Sequence, residues 1–262
     1  MIKPSPRLRK PDRQSRIVAE LRASPALRVN ELSVRLAVST ETVRRDLAEL
    51  DEAGLISRTY GGAMRPVPFE PAVAVREGMM LAERDRIAEA AAILVEPNDI
   101  LMIGGGATTL HFARRLAVIC NHLTIITHAF SIANALAENA SHKILMLPGQ
   151  YDGREGLIHG PDTIDALQRF RANKAFLGAS GLTTEGPNDA GIGPGMTYGA
   201  MMRRSAHSII LADHSKFDSP SLTVYGNWSA AMTLISDQHP TGDLEQALVQ
   251  AGTTLIDAHP TA

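Results

Sequence analysis

Residues 100–257 alternate short apolar runs with longer amphipathic segments, and this rhythm restricts the possible folds most strongly. The seven apolar runs are residues 100–103, 123–127, 143–147, 175–178, 208–212, 232–236 and 254–257. Runs this short and apolar are typical of strands buried on both faces, and crossover helices join parallel strands. The pattern therefore predicts an α/β domain whose mostly parallel sheet is covered by helices on both sides.

The first 65 residues are organised differently. The spacing of their apolar residues predicts three helices, at 12–23, at 29–38, and from residue 39 or 40 to about residue 54. Asn30 would cap the second helix, and Ser39 or Thr40 the third. Residues 55–63 alternate apolar and polar positions around Gly61-Gly62, which predicts a hairpin. Three helices and a hairpin in so short a segment indicate a winged helix-turn-helix.

The third predicted helix has the features of a DNA-recognition helix. Val43, Leu47 and Leu50 form one apolar stripe, so Arg45 lies opposite that stripe and Arg44 on its flank. A helix with hydroxyls and arginines at its exposed N-terminal end can enter the major groove. The candidate DNA contacts are Ser39, Thr40, Thr42, Arg44 and Arg45 on this helix, with Arg58 and Tyr60 on the hairpin.

The distribution of charge supports a nucleic-acid role for the first segment only. The net charge is −2, but residues 1–65 hold 13 Lys and Arg against 8 Asp and Glu, and the remainder holds 13 against 20. A basic head on an acidic body fits a head that contacts phosphates. A winged helix that docks another protein is the alternative, which the added basic and aromatic residues of the hairpin disfavour. Residues 1–11 are either a solvated tail or a phosphate-contacting arm.

Composition excludes several classes of protein. The single cysteine, Cys120, cannot build a disulfide framework or a Cys/His zinc site, so no metal is expected. We find no signal-peptide core after Met1 and no run near the roughly 18 apolar residues of a membrane span, so we expect a cytoplasmic protein. The predicted organisation is a basic arm at 1–11, a winged helix-turn-helix at 12–65, a Pro-rich linker at 66–79 and the α/β domain at 80–262.

Loops at the ends of the predicted strands carry ligand-binding chemistry, because parallel sheets bind ligands beyond the carboxyl ends of their strands. In the loop 104–109, glycines allow close backbone approach, while two hydroxyls and a helix N-terminus supply donors for a phosphate. This loop is neither a Walker loop nor a dinucleotide fingerprint, so no cofactor is expected. The candidate effector-binding residues are Gly105, Gly106, Thr108, Thr109, His128, Ser180, Asp213 and Lys216.

Each of these sites also has a purely structural interpretation. A Gly-rich strand-to-helix turn is often only a tight connection, and Asp213 can cap a helix start. A lone histidine such as His128 is more often a satisfied structural residue than a ligand. Residues 183–199 form a long Gly- and Pro-rich stretch that predicts a lid loop, with Asn188 and Asp189 as candidate ligands of hydroxyl groups.

Three segments of the head carry a family resemblance: Thr-Val-Arg-Arg-Asp-Leu at 42–47, Gly-Leu-Ile-Ser-Arg at 54–58 and Tyr-Gly-Gly-Ala at 60–63. They resemble the N-terminal signature of the DeoR/GlpR family of bacterial transcriptional regulators, and with the body loops the resemblance runs from about residue 12 to 257. It implies a C-terminal domain similar in fold to ribose-5-phosphate isomerase, a phosphorylated sugar or sugar acid as effector, and a dimer or tetramer. The expected function is repression of a carbohydrate or polyol catabolic operon, with release from operator DNA when the effector binds.

The isomerase relation also raises the rival hypothesis of an enzyme. The isomerase's catalytic strand exit reads Asp-Gly-Ala-Asp-Glu, whereas 177–181 here reads Leu-Gly-Ala-Ser-Gly, without a carboxylate. Asp213 and Lys216 match the isomerase's Asp-x-Ser-Lys loop, so phosphate binding without proton transfer is expected. The regulator family's first loop usually reads Asp-x-Gly-Thr-Thr, and Gly104 and Ala107 depart from it. His128 stands where that family often has Asn.

Overall fold

The chain divides into two units, Met1–Phe69 and Glu70–Ala262, which are called here the head and the body. The computed structural model describes residues 9–23, 26–52, 56–59, 62–64 and 71–259. None of the helices in these ranges is long and apolar enough to cross a membrane.

The head is a small helical unit with a three-stranded sheet. Its elements are α1 (Lys10–Ala23), β1 (Ala26–Arg28), α2 (Val29–Leu36), α3 (Thr40–Glu52), β2 (Ser57–Thr59) and β3 (Gly62–Met64). The strands pair antiparallel in the order β1-β3-β2. All three helices contribute to one core, whose members include Ile17, Leu32 and Leu47. This arrangement confirms the predicted winged helix-turn-helix.

Local details of the head differ from the prediction. Asn30 does not cap α2, because the helix begins one residue before it, and the extended Arg28 is the cap residue. The helix ends at Leu36 because Ala37 adopts a left-handed conformation with φ 52°. Gly62 is not in the hairpin turn but in β3, opposite Thr59. Strand β1 was not predicted, since three residues are too few to show a periodicity.

The body is built around a seven-stranded sheet in which every neighbouring pair of strands is parallel. Its helices are α4 (Val73–Arg76), α5 (Leu81–Ala92), α6 (Ala107–Ile119), α7 (Phe130–Ala137), α8 (Pro161–Leu167), α9 (Ile192–Arg203) and α10 (Gly242–Gln250). The sheet strands are β4 (Ile100–Ile103), β5 (Thr124–Thr127), β6 (Lys143–Met146), β9 (Ala172–Gly178), β12 (Ser205–Leu211), β14 (Met232–Ser236) and β15 (Thr254–Asp257). Their order across the sheet is β15-β14-β12-β9-β4-β5-β6. These are the seven strands that the sequence predicted.

The sheet separates two apolar cores. Leu101 and Ile103 of β4 point into a core shared with α5, α6 and α7, whereas Met102 points into a second core shared with α8, α9 and α10. Helices therefore cover both faces, as the apolar strands required. Within residues 71–259, five short strands outside this sheet form a hairpin and a small antiparallel sheet: β7 (Gln150–Asp152), β8 (Leu157–His159), β10 (Gly181–Leu182), β11 (Pro187–Asp189) and β13 (Thr223–Val224).

The lid predicted at 183–199 is wrong, because this stretch holds strand β11 and the first two turns of α9. Asn188 pairs with Gly181 on one side and with Val224 on the other, so its backbone is fixed. The glycines allow close packing. A Cβ on Gly193 would lie 2.3 Å from His159 Nδ1. Pro194 is tolerated because the first turn of a helix does not need its N–H.

The segment predicted to be a linker, 66–79, is in part regular structure. Helix α4 occupies Val73–Arg76, and the chain passes from head to body between Phe69 and Glu70. Pro66 and Pro68 lie outside the described residues.

Candidate DNA-binding surface and effector site

Helix α3 exposes its two arginines because its opposite side is buried. Val43, Leu47 and Leu50 are at most 4% exposed, whereas Arg44 and Arg45 lie in solvent. Arg44 is 3.8 Å from Glu41, with side chains that are 60% and 73% exposed. A pair this exposed contributes little stability, so the guanidinium can exchange its partner for a DNA phosphate.

Hydroxyl groups fix the start of α3. Ser39 Oγ accepts the backbone N–H of Thr42 at 3.2 Å and lies 2.9 Å from Thr42 Oγ1. Ser39 is therefore the cap, and Thr40 is the first helical residue. The positive end of the helix dipole at this point favours phosphate oxygens.

A buried ion pair that the sequence reasoning missed anchors α3 to α1. The Arg13 guanidinium donates through Nε to Asp46 Oδ2 at 2.5 Å and through Nη2 to Oδ1 at 2.9 Å. The two side chains are only 12% and 2% exposed. Asp46 directly follows Arg45, so this pair sets the orientation of the helix that carries the candidate DNA contacts. A signal was present, since an acid three residues after Val43 falls beside the buried stripe.

The predicted DNA contacts of the hairpin and the basic arm are described only in part. Arg58 belongs to β2, where it pairs with Ala63. Tyr60 and residues 1–8 of the basic arm lie outside the described residues.

In the body, the candidate effector loops meet where the direction of the sheet reverses. From β4 the chain proceeds through β5 to β6 on one side, and from β9 through β12 and β14 to β15 on the other. The loops after β4 and β9 therefore diverge at a topological switch point, where open α/β sheets bind ligands. A Cβ on Gly178 would lie 3.6 Å from Gly105 O and 3.9 Å from Thr109 Cγ2, so these two loops are adjacent.

The loop after β4 presents the N-terminus of α6. Gly106 adopts φ 123°, a conformation that favours glycine, and precedes the helix. The N–H of Leu110 is bonded to Gly106 O at 3.1 Å, so the N–H groups of Ala107, Thr108 and Thr109 have no partner within the helix. Thr109 Oγ1 donates to Gly106 O at 3.0 Å. Both threonines are at most 8% exposed, and the helix start therefore offers a sheltered set of donors.

Two tyrosines that the sequence did not predict hold these loops through hydrogen bonds to their backbone carbonyls. Tyr198 Oη donates to Gly105 O at 2.8 Å, and Tyr225 Oη donates to Gly178 O at 2.5 Å. Their rings meet edge to face with centroids 5.3 Å apart. A Cβ on Gly104 would lie 2.7 Å from Tyr198 Cε1, so the ring occupies the space that a side chain at this position would need.

His128 is completely buried, and both of its ring nitrogens are used within the protein. Nδ1 donates to Ile158 O at 2.6 Å, while Nε2 accepts the N–H of Gly105 at 3.2 Å. Burial lowers the pKa of His128 to about 4, against a partial opposing effect of the Ile158 carbonyl, so the ring is neutral near pH 7. This geometry favours the structural alternative, in which His128 positions Gly105 rather than contacting a ligand.

The loop after β12 is held by a buried carboxylate. Asp213 is 0% exposed, and its Oδ1 accepts the N–H of Ser215 at 3.1 Å and the Ser215 hydroxyl. It caps a single 3₁₀ turn at His214–Lys216, in which Lys216 is half-buried.

In the loop after β9, Ser180 Oγ accepts the N–H of Ala190 at 3.1 Å. No group of three His, Cys, Asp or Glu side chains suited to a metal occurs among the described residues.

Comparison with known protein families matches both units of the chain. Residues 13–68 match the DeoR-like helix-turn-helix domain, and residues 80–238 match the DeoR C terminal sensor domain. The chain is 31% identical over 235 residues to the transcriptional repressor AccR of Agrobacterium fabrum, with 86% of this chain and 89% of that protein covered. It is 29% identical to the glycerol-3-phosphate regulon repressor of Escherichia coli, with 92% and 96% covered.

Among solved structures, the chain aligns with ribose 5-phosphate isomerase A from Neisseria gonorrhoeae at a TM-score of 0.40 and 19% identity, covering 52% of this chain and 53% of that one. The two family matches together span the head and most of the body, and the relatives match over nearly their full lengths. The chain therefore belongs to the DeoR family and is a DNA-binding transcriptional regulator with a C-terminal sensor domain, not an enzyme.

Proposed function

We propose that this protein represses a carbohydrate or polyol catabolic operon and is released from its operator by a phosphorylated sugar or sugar acid bound in the body. The observation that carries this proposal is the pair of adjacent loops at the sheet's switch point, beside the N–H groups at the start of α6 that have no partner within the helix. A helix start of this kind favours an anion, and the buried threonines exclude part of the water that would weaken the attraction.

The effector residues that we propose fall into two groups. Gly106, Thr108 and Thr109 would hold the phosphate at the start of α6, with Lys216 as a point charge on the neighbouring loop. Gly105, His128, Ser180 and Asp213 would shape the loops that surround it. The exit of β9, Gly178–Ser180, carries no carboxylate, so a bound sugar phosphate would meet no general base at this position. One relative is named for the glycerol-3-phosphate regulon, and a phosphorylated polyol fits the same chemistry.

On the DNA side, the exposed start of α3 would enter the major groove. Thr42, Arg44 and Arg45 would contact bases and phosphates, with Ser39 and Thr40 at the helix start and the wing residues Arg58 and Tyr60 on the backbone. One head alone makes too few contacts to bind an operator with the affinity of a specific regulator, so a dimer or tetramer in the bacterial cytoplasm is expected. The effector would act by favouring an arrangement of the heads that does not match the half-site spacing.

A ligand screen tests the effector half of the proposal. Glycerol 3-phosphate, glucose 6-phosphate and ribose 5-phosphate are compared with their unphosphorylated counterparts by thermal shift, because a bound ligand raises the melting temperature by mass action. Lys216→Ala is expected to abolish the shift, whereas Lys143→Ala, which removes an exposed charge from β6, leaves it unchanged. If no phosphorylated compound stabilises the wild type, or Lys216→Ala retains the full response, the proposed site is refuted.

Gel-shift titration with promoter DNA of the regulated operon tests the DNA-binding half of the proposal. Arg45→Ala is expected to weaken specific binding roughly five- to a hundredfold, since a good base contact contributes roughly 1–3 kcal/mol. Arg115→Ala removes an exposed arginine from α6 of the body and serves as the matched control. Equal DNA affinities for the wild type and Arg45→Ala would refute the proposal that α3 contacts the operator.

A further inference from the structure

The first part of the body, residues 71–80, is tied to the rest of the body by arginines. Helix α4 lies in this segment, and Arg76 Nε donates to Pro71 O at 2.8 Å. The Arg76 guanidinium also pairs with Glu155, which follows the β7 strand. This segment is the first described stretch of the body after the chain leaves the head.

Arg84 reaches into the same segment from the first turn of α5. It is 4% exposed, and its Nη1 donates to the backbone carbonyl oxygens of Arg76 and Met79. These carbonyls belong to the last residue of α4 and to the turn that joins α4 to α5. The other terminal nitrogen, Nη2, lies 3.8 Å from Asp213 Oδ2.

The two carboxylate oxygens of Asp213 therefore face different parts of the body. Its Oδ1 holds Ser215 in the 3₁₀ turn that carries Lys216, whereas its Oδ2 faces Arg84 and makes no hydrogen bond within the described part of the chain. A buried carboxylate is costly unless a positive charge compensates it. A movement of Asp213 with the turn at His214–Lys216 would change the charge that faces Arg84. A matching movement of Arg84 would strain its hydrogen bonds to the two carbonyls.

We propose that Arg84 is a positioning residue that couples the Asp213–Lys216 loop to residues 71–80, so that an anion bound beside Lys216 changes the conformational freedom of the segment that follows the head in the sequence. This inference rests on the proposed effector site. The bistable element is the α4–α5 turn, whose two carbonyls are either held by Arg84 or released.

Arg86 provides a matched control on the same helix. It lies 3.9 Å from Asp237, which accepts the N–H of His214 at 2.8 Å, so Arg86 also supports the 213–216 loop. Its Nε donates to Ala258 O at 3.1 Å, at the far end of the body chain. Arg86→Gln therefore removes the same charge beside the same loop, without removing a hydrogen bond to residues 71–80.

Hydrogen exchange measured by mass spectrometry on the full chain tests the coupling, with sodium phosphate as the probe and sodium chloride of equal ionic strength as the reference. In the wild type and in Arg86→Gln, phosphate is expected to slow exchange at 104–110 and, at least about fivefold, at 71–80. In Arg84→Gln the slowing at 104–110 remains, and the slowing at 71–80 falls below about twofold.

The outcomes separate the two proposals. Slowing at 71–80 that persists in Arg84→Gln, or that is lost equally in Arg86→Gln, overturns the role of Arg84. Phosphate that slows nothing at 104–110 in the wild type overturns the effector site, and this inference with it. Should Arg84→Gln fail to fold, Arg84→Lys decides: it keeps the charge facing Asp213 without the guanidinium fork, and an unchanged response at 71–80 refutes the coupling.

Discussion

Acidification from about pH 7 to pH 5 is expected to destabilise the body by about 2 kcal/mol through His128 alone. The folded state keeps this histidine neutral, because its pKa is lowered from 6.5 to about 4 by burial. The unfolded chain protonates it near the ordinary value. Between these two values the unfolded state therefore binds more protons, so the free energy of unfolding falls as the pH falls. The stabilisation is fully present above 6.5 and is lost progressively towards pH 4.

The magnitude follows from the distance between pH 5 and the ordinary pKa. That distance is about 1.5 pH units, and each unit corresponds to roughly 1.4 kcal/mol, which gives about 2 kcal/mol. Urea unfolding can be followed by the fluorescence of Trp228, the single tryptophan of the chain. Its indole N–H donates to Thr183 O at 2.8 Å inside the body, so its signal reports this unit.

His128→Asn is the variant that isolates the effect, because it removes the titrating group and leaves every other histidine in place. The wild type is expected to lose about 2 kcal/mol more than His128→Asn between pH 7 and pH 5. His142 and His207, whose pKa values are also lowered by burial, contribute equally to both proteins. Equal pH dependence in the two proteins would show that His128 is not held neutral, and the assignment of its nitrogens would then be wrong.

Three further substitutions test the packing of the two sites. Gly104→Ala places a Cβ 2.7 Å from the Tyr198 ring and should cost about 1–3 kcal/mol of body stability in the same fluorescence assay. Arg13→Gln leaves the Asp46 carboxylate buried without its partner and should destabilise the head by about 3 kcal/mol, measured as a loss of helical circular dichroism and of operator affinity. Ser39→Ala removes the cap of α3 and should cost about 1 kcal/mol, with a modest loss of operator affinity in gel-shift titration.

The first two of these substitutions have a control within the chain. For Gly104→Ala, adding Tyr198→Leu should recover most of the loss, and additive effects in this double-mutant cycle would refute the proposed clash. For Arg13→Gln, the exposed Arg16 of the same helix offers a variant of equal charge, Arg16→Gln. Equal losses of head stability from these two substitutions would exclude the buried ion pair as the cause.

The pattern of the sequence predicted the elements whose periodicity is long or repeated. Seven apolar runs predicted the seven strands of the parallel sheet, because a strand buried on both faces has no freedom to be polar. The stripe of Val43, Leu47 and Leu50 likewise predicted which side of α3 is exposed. Local residue propensities gave a wrong prediction where tertiary packing decided the structure. Glycines at 193 and 195 suggested a mobile loop, but they admit His159 and Thr223 against the start of α9.

What the sequence by itself determined is the architecture and the location of the candidate contacts, because both depend on hydrophobic spacing and on the positions of strand ends. Only the tertiary structure decided which side chains meet. Arg13 and Asp46 are 33 positions apart, Tyr198 and Gly105 are 93 apart, and Arg84 approaches Asp213 from another element. A periodicity describes how one segment meets a generic core, whereas a buried polar contact depends on the particular partner that the fold brings to it.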